Sequence, residues 1–442
     1  MKNSKNLKVI KLIILCVFIF YFCYSSEIKE IDKVKDEIKE GIEKYIQKES
    51  LKGGGYFKFF SKGKEYKFKL VRIHTEYLAK LGPKEYFACV DMADTSGDVY
   101  DVDFFLSGEP GNMAPTETTL HKINGIPFYL WEQKIDGTWK RVPVEGAPLK
   151  LLGVIRGKDE FEFLYRVKLP TIKRHAKMWL PFPQTDKFQK VEIKNINSPK
   201  KYRILNEIKY NNKVLFFELG LEDSGKTIDI IYYVNRIEKS AYSEPEINLD
   251  KYLKSNNLIP VNEKFKKIAK KIIAGKKGVL VQARALYDHV IDKMKYQKYG
   301  SGWGKGDAVY ACDIGTGNCT DYHSYFISLA RSIGIPARFA IGVAIPSERN
   351  EGGIDGYHCW AEFFAEGKWW PVDISEADKY SALSTYYFGH NPANRFEFSR
   401  GRDLELDEKF APSQTISFLA YPILEIDGKT SKAEVEFSFK RK

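Results

Sequence analysis

The sequence predicts an α+β chain of several domains, with antiparallel sheet dominating the first half and helices entering late. Three observations carry that expectation. Runs of strand length, alternating apolar and polar residues and separated by Gly-Pro and Asp-Gly turns, recur between residues 56 and 240. Aromatic residues make up 14% of the chain, with 27 Tyr and 29 Phe, and such side chains suit pleated sheet surfaces. From Glu263 the apolar spacing changes to threes and fours, the helical period. At roughly 150 residues per domain, 442 residues allow two or three domains.

Residues 1–26 read as a targeting segment. Lys2, Lys5, Lys8 and Lys11 precede the apolar run Leu12–Tyr24, which has the length of a secretory signal core and is short for a membrane span. Cleavage near Ser25, retention as an N-terminal anchor and lipidation at Cys23 are the three alternatives. Each places the rest of the chain outside the cytoplasm, in the periplasm, at the cell surface or secreted, with any membrane contact made through this N-terminus.

Residues 27–154 read as a helix followed by a small α+β or β domain of unassigned function. Ile31, Val34, Ile38, Ile42, Tyr45 and Ile46 fall at helical spacing, Gly53-Gly54-Gly55 ends the run, and strands are expected at Tyr66–Val71, Tyr86–Met92, Val99–Leu106 and Pro127–Trp131. Residues 155–242 read as a β-sandwich, from strand-length runs at Glu160–Leu169, Ala176–Leu180, Gln189–Ile196, Val214–Leu219 and Thr227–Arg236. Polar residues 243–262, with Pro245 and Pro260, read as a linker. Residues 263–410 carry helices at Phe265–Ala274, Leu280–Met294 and Cys319–Ile333, then strands at Ala337–Ile345, His358–Phe364 and Trp369–Ile374. Residues 411–442 add two C-terminal strands.

The formal charge is +12, and its lysine clusters, such as Lys264, Lys266, Lys267, Lys270 and Lys271, have acids nearby or lie on helix faces. With no zinc-finger spacing or RNA-binding signature, no nucleic-acid partner is expected. Of the six cysteines, Cys16 and Cys23 belong to the N-terminal segment. Cys89, Cys312, Cys319 and Cys359 contain no C-x-x-C pair and do not form a disulfide framework, although one bridge among Cys89, Cys312 and Cys359 stays open.

One group of residues suggests chemistry. Cys319 opens an amphipathic helix in Gly-Asn-Cys-Thr-Asp-Tyr-His, with Asn318 as its cap. A helix N-terminus and a neighbouring imidazolium both favour the thiolate, the form that attacks a carbonyl. His358, in His-Cys-Trp-Ala-Glu, and Asp373, in Trp-Trp-Pro-Val-Asp, lie on two later strands, where an antiparallel pair would set base beside orienter. The Cys319 N–H is the natural first oxyanion donor, and Trp303 and Asn318 are candidates for the second donor or the cleft wall.

The stretches 317–324, 329–339, 358–363 and 369–373 resemble the core of the transglutaminase-like superfamily, over roughly residues 265–405. The resemblance implies a papain-like fold with Cys319 as nucleophile, His358 as general base and Asp373 as orienter. It further implies thioester formation from a protein or peptide amide, resolved by water as a protease or amidase or by an amine as a cross-linking acyltransferase. No cofactor is expected. The alternative is a non-catalytic scaffolding protein that uses the same domain to present a cleft. The sequence leaves the oligomeric state open.

Other features read more plainly. His323, Cys312, His358 and Cys359 could be drawn as a metal site, but adjacent strand residues such as His358 and Cys359 should face opposite ways, so no metal is expected. The glycine-rich stretch 299–307 lacks the ending of a phosphate loop and reads as a mobile flap, with Trp303 as its wall. Arg331 and Arg338 read as structural, and Tyr386–Arg402 as packing.

Overall fold

The computed structural model describes residues 33–61, 64–82, 84–109, 112–133, 139–143, 153–244, 248–298, 301–379 and 383–442. Residues 1–26, read from the sequence as a targeting segment, lie outside the described residues. The fold is α+β, as expected. It divides into two compact units, one of residues up to 94 together with 100–121, the other of 95–99 and 122–442.

In the first unit a helix over residues 33–52 buries Ile38, Ile42 and Ile46. It lies on an antiparallel sheet, where Tyr45 meets Phe57 and Phe104 edge-on at 6.0 and 6.5 Å. The sheet runs Phe57–Ser61, Lys64–Ile73, Glu85–Ala93, Val99–Glu109, Asn112–Ile123, Ile126–Pro127, with Ala79–Gly82 beside Glu85–Ala93. The strand Asn112–Ile123 has no counterpart in the sequence reading. Its side chains are mostly part-buried or exposed, so it lacks the apolar alternation that marks a strand.

The second unit contains two five-stranded sheets. One runs Gln189–Asn197, Thr227–Ile237, Lys158–Lys168, Glu434–Arg441, Glu351–Ile354, and the other Tyr202–Asn206, Lys213–Gly220, His175–Phe182, Ile423–Ile426, Lys429–Ser431. Strict alternation directs Phe161, Phe163, Tyr165 and Val167 inward with Ile228, Ile230, Tyr232 and Val234 on the paired strand. Residues 158–237 thus supply three strands to each sheet, the far end of the chain adds one to the first and two to the second, and Glu351–Ile354 forms the last edge of the first.

Between these segments lies a helix-on-sheet module. Its antiparallel sheet has the order Lys368–Val372, His358–Ala365, Ala337–Ala344, Arg395–Arg400. The helix Cys319–Ser332 is buried along its whole length and packs on the strands Ala337–Ala344 and His358–Ala365. Helices Glu263–Ile272, Val279–Lys293 and Ala308–Ile314 pack around it.

Buried charges join the sheet to the segment 239–244. Lys239, fully buried, contacts Glu362 at 3.0 Å and Glu397 at 3.2 Å. Arg338 pairs with Glu362 at 2.6 Å and Glu244 at 2.9 Å, and its guanidinium lies 4.0 Å from the Trp369 ring centroid. Arg331 donates to the carbonyls of Ala337 and Lys254 and to Asn256. Both arginines therefore have structural contacts.

Candidate active site

The helix that begins at Cys319 is fixed by its own cap. Asn318 Oδ1 accepts from the Thr320 N–H at 3.0 Å, and the Asn318 N–H donates to Asp321 Oδ2 at 3.0 Å, a reciprocal capping box. Asn318 Nδ2 donates to the Tyr357 hydroxyl at 2.9 Å. Both ends of the Asn318 amide are thus engaged in holding the helix start.

His358 opens its strand, and Asp373 directly follows the next one. The register pairs Ala361 with Val372, so Asp373 lies past the end of the ladder, where it caps the short helix Ile374–Lys379. Its Oδ1 accepts from Ser375 Oγ at 3.2 Å and from the Glu376 N–H at 3.3 Å. Its Oδ2 lies 2.7 Å from His358 Nε2. Burial would raise the Asp373 carboxyl, but the His358 charge and hydrogen bond and the Arg395 cation hold it well below the usual range. An ionised carboxylate only accepts, so His358 Nε2 carries the hydrogen. Nδ1 is then the ring nitrogen available to Cys319.

The thiol–imidazole pair is buried, with Cys319 1% and His358 7% exposed. Burial pushes the Cys319 thiol up, but hydrogen bonds from Cys359 and His358 and the His358 charge outweigh it and hold Cys319 well below the ordinary thiol value. Burial would lower His358, yet Asp373 and Cys319 raise it to about 9. The two shifts agree on a thiolate–imidazolium pair near neutrality.

The surroundings contain groups to which the sequence reading gave no part in the triad. Arg395 Nη2 lies 3.3 Å from Asp373 Oδ2. His323 Nε2 accepts from the Ile374 N–H at 3.0 Å, which leaves its Nδ1–H to donate to the Cys319 carbonyl at 2.7 Å. That ring is neutral and structural, and burial lowers its pKa further. Cys359 Sγ is 3.6 Å from His323 Nδ1. His358 reaches Asp373, and Cys359 reaches His323, whose Nε2 is 3.9 Å from the same Asp373, so the expectation that the two side chains diverge is corrected. His358 is the first strand residue, where the pleat no longer fixes its direction.

The flap reading of the glycine-rich stretch is also corrected for its described part. Asp321 accepts from the N–H groups of Gly304 at 2.7 Å and Gly306 at 3.0 Å. Arg402 donates to the carbonyls of Lys305 at 3.1 Å and Gly306 at 3.2 Å. Gly306 has a φ of +65°, and a Cβ there would lie 2.4 Å from Arg402 Nη1, so the close clamp requires glycine. Trp303 stands one residue before this clamp, part-exposed, with the Lys298 ammonium 5.9 Å from its ring. The stretch Tyr386–Arg402 does more than pack, because it provides Arg395 and Arg402. Its signal was the presence of arginines in an apolar run.

Phenols crowd the thiolate. Tyr296 and Tyr357 are raised above the ordinary value, first by burial and then by the Cys319 charge. Among the described residues, Cys89, Cys312, Cys319 and Cys359 are all free thiols.

Residues 266–374 match the family model of the transglutaminase-like superfamily, and the chain carries a transglutaminase-like domain there. An uncharacterized protein of Haemophilus influenzae is 26% identical over 321 residues, covering 61% of this chain and 86% of that protein. Among solved structures, a candidate cysteine protease from Cytophaga hutchinsonii superposes with a TM-score of 0.42 at 13% identity, covering 65% of this chain and 98% of that one. The periplasmic domain of TgpA from Pseudomonas aeruginosa gives a TM-score of 0.31 at 13% identity, covering 55% of this chain and 99% of its own.

Proposed function

We propose that this protein is a cysteine-dependent acyl-transfer enzyme acting on protein or peptide amides. Cys319 attacks the amide carbonyl, His358 protonates the departing amine or ammonia, and water then hydrolyses the thioester, with His358 now accepting the water proton. Asp373 holds the ring in the tautomer that these transfers need. The Cys319 N–H, at the first helical position where no intrahelical acceptor exists, is the oxyanion donor. The observation that carries the reading is the 2.7 Å contact between His358 Nε2 and Asp373 Oδ2, on a ring whose positive charge helps hold the Cys319 thiol low.

Resolution by water makes the enzyme a protease or amidase, and resolution by an amine makes it a cross-linker. Hydrolysis is the reading we favour, because the N-terminal lysines and apolar run address the chain to an aqueous compartment outside the cytoplasm. Incubation of the purified protein with peptide libraries, with and without added amines, is the test, read by mass spectrometry. Cleaved or deamidated peptides that are unaffected by amine support hydrolysis, and amine-adducted peptides support transfer. If Cys319→Ala retains turnover, the nucleophile is wrong.

A further inference from the structure

A second cluster of reactive side chains lies in the first unit, independent of the thiol site. In the strand Glu85–Ala93, Cys89 and Asp91 fall two residues apart, as do Asp101 and Asp103 in Val99–Glu109. A period of two puts each pair on one sheet face, opposite Val102 and Phe104, the latter packed against the helix residue Tyr45. His74, just past the strand Lys64–Ile73, and His121, on Asn112–Ile123, join them. Asp91, Asp101 and Asp103 are 0, 2 and 0% exposed and Cys89 is 4% exposed, in a part of the sheet where apolar residues would ordinarily stand.

The donor atoms converge. Those of His74, Cys89 and Asp101 lie within 4.8 Å of one another, and so do those of Cys89, Asp103 and His121. His74 Nε2 lies 2.8 Å from Asp91 Oδ1, while Glu76 Oε1 holds Nδ1 from the more exposed side at 2.9 Å. Glu76, on the outer nitrogen, is the carboxylate that orients the ring, and an ion held by Nε2 would take the place of the Asp91 contact. Carboxylates are buried this deeply when they are paired or coordinate a cation. The set is also chemically selective, because a thiolate beside imidazoles and carboxylates favours zinc and its congeners over magnesium or calcium.

We propose that this cluster binds a zinc-class divalent ion, with Cys89 as the ligand common to both triplets. The test uses the full chain carrying Cys319→Ala, which removes the thiol of the candidate active site. The chelator-treated protein is titrated with Co²⁺ and followed by near-ultraviolet and visible absorption. A thiolate-to-cobalt charge-transfer band that saturates at one or two ions per chain and is displaced by Zn²⁺ is the expected result. Cys89→Ser should abolish the band, and Glu76→Gln should weaken cobalt affinity by about 10–100-fold. His121→Gln, at the part-exposed end of the cluster, should also weaken the band and provides the decisive variant if Cys89→Ser fails to fold. The proposal is overturned if the chain shows no band, or if the band survives unchanged in a folded Cys89→Ser or His121→Gln variant.

Discussion

Arg395 Nη2 stands 3.3 Å from the Asp373 oxygen that holds His358, so one carboxylate oxygen serves an imidazole and a guanidinium together. The cation keeps Asp373 ionised, but it also competes with the imidazolium for the same negative charge. Arg395→Met should leave that charge to His358 alone and raise the ring's pKa. The alkaline limb of activity should then move upward while the melting temperature falls. An unmoved limb would reduce Arg395 to a packing role.

The pH dependence of the parent protein follows from the same ring. The folded His358 value is about 9 against an ordinary 6.5. The protonated ring therefore stabilises the folded state fully below about pH 6.5, and this contribution disappears as pH rises through about 9. Activity and thermal stability should decline together over that window. Measuring both in one buffer series checks the coupling.

Cys359 is expected to tune the nucleophile without replacing it. Its thiol helps lower the Cys319 pKa, while burial and the Cys319 charge push Cys359 itself upward. In Cys359→Ala the pH midpoint for iodoacetamide alkylation of Cys319 should rise. An unchanged midpoint would remove Cys359 from the site's electrostatics.

Asp321 links the helix cap to the glycine-rich stretch through three backbone N–H groups. Asp321→Ala should destabilise the protein by about 2 kcal/mol or more, since each charge-assisted bond contributes about 1.5–3 kcal/mol. Hydrogen exchange should accelerate at Gly304 and Gly306. Protection that persists there would show that Arg402 alone holds the segment.

Glu362 sits between Lys239, Arg338 and the Tyr242 hydroxyl, 1% exposed. Glu362→Ala leaves two buried cations short of a partner, a change that costs about 3–5 kcal/mol in comparable pairs. Urea unfolding would report it as a lower midpoint. Little change would mean that Glu244 and Glu397 take over the load.

The sequence made the local parts of the site legible and left its long-range parts hidden. Cys319, with its cap, lies in one short motif, and His358 and Asp373 stand at strand ends that alternation could place. Arg395 and Arg402 left only the trace of arginines in an apolar run, because one lies on and the other just past a strand, Arg395–Arg400, whose pairing with Ala337–Ala344 is a long-range event. Helix Ala308–Ile314 was missed because its seven residues show barely two turns of periodicity. The cluster around Cys89 did leave a trace, in Cys-Val-Asp and Asp-Val-Asp, where polar residues take the alternate positions of otherwise apolar strands. Polar residues at that period usually mark a solvent face, and burial on both faces is visible only after folding.

The strands Ile423–Ile426 and Glu434–Arg441, from the last part of the chain, fill interior positions in the two five-stranded sheets. The transglutaminase-like module is therefore an insertion, spliced into a β-scaffold that begins before it and closes after it. During synthesis, Cys319 emerges well before the scaffold has its final strands. A nascent or C-terminally clipped chain would carry Cys319 while both five-stranded sheets still lack an interior strand.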